Sequence, residues 1–369
     1  MTAKLIARYH IRSDAARIEE RARTIAVEQS VEMPVEIIDD LAVLNGIVGQ
    51  VAGITDLGGG VFEAAIALDV ETTGFESGQL LNMLFGNTSI HDDVTLAAIE
   101  MPPALSDRFR GPRHGPYGLR KRVGAGRRAL TCSALKPQGL QPEQLAALAR
   151  TLALGGLDYL KDDHGLADQR FSPYATRVSA IAAAVRAANK ETGKATHYLP
   201  SLSGNLDTLR EQVRLARDNG LDTVLITPMV CGLPAFETLV RENPDMAFIA
   251  HPAMAGAARI APAALLGTLF RMLGADGVIY PNVGGRFGYS AETCRAIADT
   301  ALAIWPGQRP SLPVPAGGMK IGRVPEILAF YGADAMLLIG GDLLAARERM
   351  TQVAAAFQKA VQDFGYRKS

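Results

Sequence analysis

Residues 155–178 read GGLDYLKDDHGLADQRFSPYATRV, and this stretch contains a strand followed by the start of a helix. The apolar run Leu157–Asp163 predicts a buried strand, and apolar residues at helical spacing predict a helix over Phe171–Lys190. A strand joined to a helix is the repeating unit of folds built on parallel sheets. The stretch therefore favours an α/β fold.

The same alternation recurs along residues 121–369. Eight consecutive strand-and-helix units are what a (β/α)8 TIM barrel requires, and such barrels usually need about 250 residues. A doubly wound open sheet is the competing architecture. The eight apolar runs are Ala129–Leu135, Leu157–Asp163, Thr196–Leu202, Thr223–Met229, Ala247–Ala253, Gly277–Val283, Ser311–Gly317 and Ala335–Gly341.

The first 120 residues have a different pattern, which predicts a smaller N-terminal α+β domain. A linker rich in Gly, Pro and Arg is predicted over Gly111–Gly126, between this domain and the barrel. The elements predicted before it are a strand at Lys4–His10, a helix at Ala15–Gln29, and strands at Ile47–Ala52 and Val61–Leu68.

Composition excludes several classes of function. Thirty-eight basic residues balance thirty-eight acidic ones, so there is no net field to hold nucleic acid or an anionic membrane surface. No run reaches the roughly 20 apolar residues of a membrane span, and the charged N-terminus lacks the apolar core of a signal peptide. We therefore predict a cytoplasmic protein. Three widely spaced cysteines fit reduced thiols.

Polar residues follow most of the predicted barrel strands. Active sites of such barrels lie at the C-terminal ends of the strands, so these residues form the candidate site. Glycine pairs after the last two strands would expose backbone N–H groups to a phosphate, which implies a phosphorylated small substrate. The candidates are Lys136, Lys161, Asp162, Asp163, His164, Ser201, Ser203, His251, Asn282, Arg286, and the pairs Gly317–Gly318 and Gly340–Gly341.

Each candidate also has an ordinary structural interpretation. The two lysines would then be surface charges, the KDDH segment a solvated turn, the glycines helix caps and His251 a core histidine. Polar groups at seven of eight predicted strand ends favour the functional interpretation over coincidence.

The segments GGLDYLKDDHGLADQRFSPYATRV and ALKPQGL resemble the large chain of ribulose-1,5-bisphosphate carboxylase/oxygenase (RuBisCO) and, more closely, the RuBisCO-like proteins of form IV. The motifs HYLPSLSG, FIAHPAMAG and PVPAGGMKIGRVPEIL extend the resemblance over nearly the whole chain. It implies a ferredoxin-like N-terminal domain, a TIM barrel and a homodimer. The active site would combine one barrel with the partner's N-terminal domain, through Glu28 and Asn87.

The resemblance also implies roles for the strand-end residues. Lys136 matches the family's proton-handling lysine, and Lys161 matches a lysine that carries a carbamate and binds Mg²⁺ together with Asp163. His164 stands where a glutamate usually completes the metal site. This difference weakens the case for Mg²⁺, because Mg²⁺ prefers hard oxygen ligands.

Other differences argue against carbon fixation. Gln138, Pro252 and Ala316 replace residues that hold a second phosphate, Tyr280 stands at a histidine position of the sixth strand, and Arg286 best matches the mobile-loop lysine. We therefore expect a non-carboxylating enzyme that forms an enediolate from a sugar phosphate. The planar fork of Arg286 suits a carboxylate, which favours decarboxylation or C–C hydrolysis of a 3-oxo sugar acid phosphate.

Three alternatives remain open at this point. The first is an isomerase or enolase of a methylthio-sugar phosphate. The second is a lyase without a metal that uses Lys136 or Lys161 to form a Schiff base. The third is a non-catalytic binding or scaffold protein, because a fold does not fix a function.

Overall fold

The computed structural model describes residues 3–366, which form a small antiparallel sheet of four strands and a parallel sheet of eight. The small domain has the strand order β2-β3-β1-β4 and the chain order β-α-β-β-α-β, which is the ferredoxin-like arrangement. Its elements are β1 (Lys4–Arg12), α1 (Ile18–Glu28), β2 (Gln50–Gly58), β3 (Val61–Asp69), α2 (Ser77–Phe85) and β4 (Val94–Glu100).

The predicted α+β domain is confirmed, but its edge strands differ from the prediction. Strand β2 was predicted over Ile47–Ala52 but runs from Gln50 to Gly58. Strand β4 was not predicted. Both strands lie at edges of the sheet, and β2 is largely exposed, so it lacks the apolar alternation of a half-buried strand.

The eight predicted barrel strands are all present, and the sheet closes into a ring. The sheet order runs β7-β6-β5-β12-β11-β10-β9-β8. The ring closes where Leu225 N donates to the Pro200 carbonyl at 2.9 Å and Leu202 N donates to the Leu225 carbonyl at 2.8 Å. The strands are β5 (Leu130–Leu135), β6 (Tyr159–Asp162), β7 (His197–Leu199), β8 (Thr223–Ile226), β9 (Ala247–Ala250), β10 (Gly277–Pro281), β11 (Leu312–Ala316) and β12 (Met336–Leu338).

Helices surround the barrel, and none in the described part of the chain is long and apolar enough to cross a membrane. A π-helical segment, Ala263–Leu269, runs directly into the short α10. The helices after the small domain are α3 (Pro103–Arg108), α4 (Gly115–Arg122), α5 (Pro142–Leu154), α6 (Tyr174–Thr192), α7 (Leu206–Asp218), α8 (Pro228–Cys231), α9 (Leu233–Glu242), α10 (Phe270–Met272), α11 (Ala291–Leu302), α12 (Val324–Tyr331), α13 (Gly341–Leu344) and α14 (Met350–Gln362).

The segment predicted as a linker contains α4, which closes the N-terminal end of the barrel. Leu119 of α4 packs against the inward-facing barrel side chains, and its carbonyl accepts a hydrogen bond from the Tyr159 hydroxyl at 2.8 Å. Gly115 has φ +57, and a Cβ there would lie 2.5 Å from the Pro310 carbonyl oxygen. The glycine therefore allows close packing, whereas the sequence suggested flexibility.

Alternation along the barrel strands decides which side chains reach the site. Tyr159 and Leu199 belong to the cluster inside the barrel, whereas Leu160 and Tyr198 pack toward the helices. Successive side chains of a strand point to opposite faces. Lys161 therefore faces inward, and its neighbour Asp162 faces the helices.

The small domain packs against its own barrel beside the loop that follows β9. Leu96 N donates to the Arg259 carbonyl at 3.0 Å, and Ala261 N donates to the Leu96 carbonyl at 2.8 Å. The Arg259 guanidinium donates to the Ser89 carbonyl at 2.8 Å. The domain boundary at residues 120–121 stays a prediction.

Candidate active site

The end of β6 brings three of the predicted site residues together. Lys161 is buried, with its Nζ donating to the Asp162 carbonyl at 2.9 Å. Asp163 accepts a hydrogen bond from Gly165 N at 2.9 Å, in the turn that leaves the strand. Its other carboxylate oxygen forms an ion pair with Lys136, which follows the neighbouring strand β5. Lys136 thus pairs with Asp163 at the barrel mouth, and buried Lys161 lies close enough for both charges to act on it.

The surroundings change the proton affinity of these groups. Burial lowers the pKa of Lys161, and the nearby Lys136 charge adds to that effect. Burial opposes ionisation of Asp163, but hydrogen bonds from Lys136 and Gly165 outweigh burial and lower its pKa. The site therefore holds an ionised carboxylate beside an amine that loses its proton more readily than a surface lysine does.

Two imidazole rings stack on each other beside this cluster. The rings of His164 and His251 lie 4.0 Å apart between centroids, with 14° between their planes. Burial lowers the pKa of both, and Lys161 helps to bring that of His251 to about 2. Ala253 N donates to Nδ1 of His251 at 3.1 Å, so Nε2 of the neutral ring carries its hydrogen. His251 is thus a neutral hydrogen-bond donor.

The predicted phosphate glycines lie on the neighbouring side of the mouth, after β11 and β12. Gly317 and Gly318 have φ values of +86° and +77°, which favour glycine. A Cβ at Gly317 would lie 3.0 Å from ring atoms of Phe287, so the loop after β10 rests directly on this pair. Around Gly340 and Gly341 a Cβ would meet nothing within 4 Å. Their backbone therefore borders open space.

Arg286 lies on the loop that packs against Gly317–Gly318. Its guanidinium stacks over the Phe287 ring at 4.6 Å from the centroid. Its positive charge is among the causes that lower the pKa of His164. Arg286 is thus close enough to the strand-end cluster to act on it electrostatically.

The structure also joins the two candidates of the small domain. Asn87 Nδ2 donates to Glu28 Oε1 at 2.9 Å and to Glu32 Oε1 at 2.8 Å. No hydrogen bond within residues 3–366 links Asn87 to a strand end of its own barrel. Glu32 was not predicted, because its contact with Asn87 spans 55 residues of sequence and leaves no local pattern.

Sequence reasoning misplaced two residues and missed one pair. Tyr280, matched to a histidine of the family site, is buried among the helices with its ring against Tyr331. It does not face the barrel mouth. Asp162, predicted as a site residue, does not face the mouth either, and its ion pair with Arg177, in which both side chains are 0% exposed, was missed. The sequence feature that could have revealed this pair is an arginine on the apolar face of the predicted helix, near Tyr174.

The fit of Mg²⁺ depends on the chemistry of Lys161. Among the described residues no group of three or more His, Cys, Asp or Glu side chains is placed to hold a metal ion. Asp163 and His164 alone provide one carboxylate and one imidazole. A carbamate on Lys161 would add the missing anionic oxygen, and the lowered pKa of this amine favours the neutral form that reacts with CO₂. The residues fit Mg²⁺ on that condition.

Comparison with known proteins identifies the class to which this fold and site belong. The family model described as ribulose bisphosphate carboxylase large chain, catalytic domain, matches residues 117–365. These residues include most of α4, which closes the barrel, and all eight barrel strands. The class is therefore the RuBisCO superfamily of barrel enzymes.

Individual relatives narrow this class. A 5-methylthioribulose-1-phosphate isomerase of Rhodospirillum rubrum is 59% identical over 362 residues, covering 98% of this chain and 97% of that protein. A 2,3-diketo-5-methylthiopentyl-1-phosphate enolase of Geobacillus kaustophilus is 33% identical, covering 76% and 70%. The crystal structure of a RuBisCO-like protein from Rhodopseudomonas palustris matches with a TM-score of 0.93, 48% identity and full coverage of both chains. The chain belongs to the RuBisCO-like proteins, the non-carboxylating enzymes of this family.

Proposed function

We propose that this enzyme isomerises a methylthio-sugar phosphate, with 5-methylthioribulose 1-phosphate as the first substrate to test. The observation that carries the proposal is the meeting of Lys136, Asp163 and buried Lys161 beside two neutral imidazoles. That arrangement suits proton transfer next to a carbonyl. The isomerase name of the Rhodospirillum rubrum relative then selects the substrate, which was an alternative in the sequence analysis.

An isomerisation of this kind removes a proton from the carbon beside a carbonyl and returns one to a neighbouring carbon. Lys136 is 40% exposed and held by Asp163, so it reaches the mouth with a fixed direction and is our candidate to carry the proton. The Nε2–H of His251 would donate to the enediolate oxygen as negative charge develops there. A donor that is already oriented needs no rearrangement during the reaction.

The phosphate of the substrate is proposed to bind the two glycine pairs. The absence of side chains at Gly340 and Gly341 leaves room for phosphate oxygens to approach the backbone N–H groups. The loop carrying Arg286 borders Gly317–Gly318, so it would cover the bound phosphate from one side. The phosphate and the reacting carbons would then occupy adjacent parts of one mouth.

Mg²⁺ remains part of the proposal. A carbamate on Lys161 would hold it with Asp163 and His164, and the ion would stabilise the negative charge of the enediolate. Removal of the ion by a chelator should then abolish turnover, and bicarbonate with Mg²⁺ should restore it.

A homodimer is also proposed, with the site completed across the interface. The supporting observation is that Glu28 and Asn87 bond to each other, while no hydrogen bond within residues 3–366 links either to a strand end of its own barrel. Sedimentation velocity should show a dimer. Mixing Asn87→Ala chains with Lys161→Ala chains should restore up to about a quarter of the wild-type sites, because mixed dimers carry one intact composite site.

A second candidate function is the reaction of a 3-oxo sugar acid phosphate. The position of Arg286 close to His164 favours it, because a guanidinium fork binds a carboxylate well. Arg286→Lys should then lower turnover of the acid by about 1–3 kcal/mol of transition-state stabilisation and leave a neutral ketose phosphate nearly unchanged.

The deciding experiment is turnover of 5-methylthioribulose 1-phosphate in D₂O, followed by proton and phosphorus NMR. An enediolate route predicts an isomeric product that carries deuterium at a carbon next to the carbonyl. Lys136→Met keeps the length of the side chain but loses the amine, so it serves as the matched control. The proposal fails if wild-type enzyme leaves this substrate unchanged and turns over a 3-oxo acid phosphate. Fixation of labelled CO₂ onto ribulose bisphosphate would also overturn it.

A further inference from the structure

Asp162 lies between two site residues but points away from the site. Its side chain faces the layer between the sheet and the helices and is fully buried. Its carboxylate accepts hydrogen bonds from the Tyr198 hydroxyl at 2.8 Å, from Arg177 Nε at 3.1 Å and from Ser201 N at 3.1 Å. Strand β6 is thereby tied to β7 and to α6 at the level of the barrel mouth.

Arg177 extends this network to the loop that carries the rest of the site. Its Nη1 donates to the Ala167 carbonyl at 2.9 Å and to the Ser172 carbonyl at 2.7 Å. Both carbonyls lie in the connection between β6 and α6, which begins with Asp163 and His164. One buried guanidinium therefore fixes the strand end and the following loop relative to each other.

Stability alone does not account for a fully buried ion pair at this place. Replacing such a pair by apolar side chains of similar size is often neutral or stabilising, because both charges lose their hydration on burial. The neighbours of Arg177 on the buried face of α6 include Val178 and Ile181, so an apolar alternative would suit the surroundings. An apolar pair, however, makes no directional hydrogen bonds that would hold the strand end and the loop in one orientation.

We propose that Asp162 and Arg177 are positioning residues that aim Lys161 and Asp163 into the barrel mouth. Because side chains alternate along β6, any rotation of the strand end that moves Asp162 also moves both inward neighbours. A misplacement of about 1 Å in a site can cost about 100-fold in rate. The assay by turnover rests on the proposed function, whereas the positioning itself is measurable without a substrate.

The opposite end of β6 offers a matched control. Asp158, just before the strand, receives two hydrogen bonds from Arg128, at 2.6 and 2.7 Å. This pair is also largely buried, with 4% and 14% side-chain exposure, but it lies at the N-terminal end of the strand. Arg128→Met therefore breaks a comparable ion pair of the same strand far from the site.

The test compares Arg177→Met, the double variant Asp162→Leu/Arg177→Met and Arg128→Met by kcat, KM and melting temperature. We expect both site-end variants to lose about 100-fold in kcat, with KM changed less than about threefold because the proposed phosphate glycines lie on other strands. The double variant should regain part of the melting temperature lost by Arg177→Met, because it removes the uncompensated charge, but it should not regain kcat. Recovery of kcat together with stability, or an equal loss in Arg128→Met, would overturn the proposal.

A second measurement separates this inference from the proposed function. If wild-type enzyme turns over no methylthio-sugar phosphate, hydrogen exchange followed by mass spectrometry still reports the local stability of the loop between β6 and α6. Gly165 N and Leu166 N are bonded to Asp163, at 2.9 and 3.0 Å, so their exchange measures how well Asp163 is held. Exchange should be faster in both site-end variants than in Arg128→Met. Equal protection in all variants would overturn the positioning role.

Discussion

Two buried carboxylates at the N-terminal end of the barrel differ from buried Lys161 at the mouth in whether the protein supplies their partners. At the N-terminal end, Asp158 has a two-pronged arginine partner, and buried Asp276 accepts three backbone N–H groups, from His114, Gly115 and Phe248. At the C-terminal end, buried Lys161 forms no ion pair within residues 3–366. Groups of the protein therefore pair with both carboxylates at the N-terminal end, whereas the amine of Lys161 is left to interact with a ligand.

This contrast separates stability from activity along single strands. A buried charge with its partners in place fixes the fold, and removing a partner leaves an uncompensated charge that destabilises it. A buried charge without a partner costs stability, so its retention points to function. Substitutions at the N-terminal end should therefore lower the melting temperature, and substitutions at the mouth should lower activity.

The largest effect is expected for Lys161→Ala. Turnover should fall by more than about 1000-fold, because the residue proposed to carry the carbamate is lost. The melting temperature should stay constant or rise, because a buried amine is removed. Lys121→Ala, on the exposed last turn of α4 at the other end, should change neither value. Titration of Mg²⁺ with and without bicarbonate completes the measurement. Full metal binding and turnover in Lys161→Ala would show that the assignment of this lysine is wrong.

Asp158→Asn should show the reverse behaviour. The change leaves the Arg128 guanidinium without an ionised partner and should cost about 3–5 kcal/mol in the free energy of unfolding. Because the mouth is at the other end of β6, kcat should stay within about twofold of wild type. Urea unfolding and steady-state kinetics measure the two quantities. A large loss of kcat in a fully folded Asp158→Asn variant would show that the N-terminal end also controls activity.

The fold was predictable because the barrel strands are buried on both faces. Such strands read as nearly continuous apolar runs, and all eight were found from the sequence. The bounds of the edge strand β2 were predicted incorrectly, and the edge strand β4 and the helix α4 were not found. They depend on partners distant in sequence: β4, for example, pairs with β1 and contacts residues 259–261.

The site was predictable to the extent that strand ends define it. Parallel strands end at the same edge, so Lys136, Asp163 and His251 could be grouped before their contacts were known. The stacking of His164 on His251 and the Asp162–Arg177 pair could not be derived, because rotamers and contacts between distant segments decide them. From the sequence, Asp162 was grouped with the site residues, whereas alternation along β6 turns its side chain outward.

The same glycine substitution at the two ends should separate ligand binding from backbone strain. Gly340 has φ −109, which any residue adopts, and faces open space, so Gly340→Val should fold normally and fill the proposed phosphate position. KM for a sugar phosphate should rise about 10-fold to 100-fold. Gly124, at the other end, has φ +62, so Gly124→Val should cost about 1–3 kcal/mol of stability and leave KM unchanged. An unchanged KM in Gly340→Val would remove the phosphate assignment.

The smallest effect is expected for the pH dependence of stability, through Asp222 at the N-terminal end of the barrel. Burial raises the pKa of this carboxyl, but His197, Arg122 and Thr223 outweigh burial and lower it overall. The Arg122 contact is a 2.7 Å hydrogen bond from Nε. A carboxyl whose pKa is lower in the folded protein than in the unfolded chain stabilises the fold above about pH 4, and that contribution disappears as the pH falls through the lowered value.

Asp222→Asn should therefore remove a part of the stability that wild type loses in acid. Because the Asp222 side chain is 43% exposed, water screens the interaction, and we expect less than about 1 kcal/mol at neutral pH. As the pH falls from about 5 toward the lowered pKa of Asp222, the melting temperature of wild type should fall more steeply than that of the variant, and the two curves should meet only below that pKa. Turnover at pH 7 should be the same in both proteins, because the contact lies at the end of the barrel away from the mouth. Parallel melting curves over this range would show that Asp222 contributes nothing through its charge, and that its contacts at this end act by packing alone.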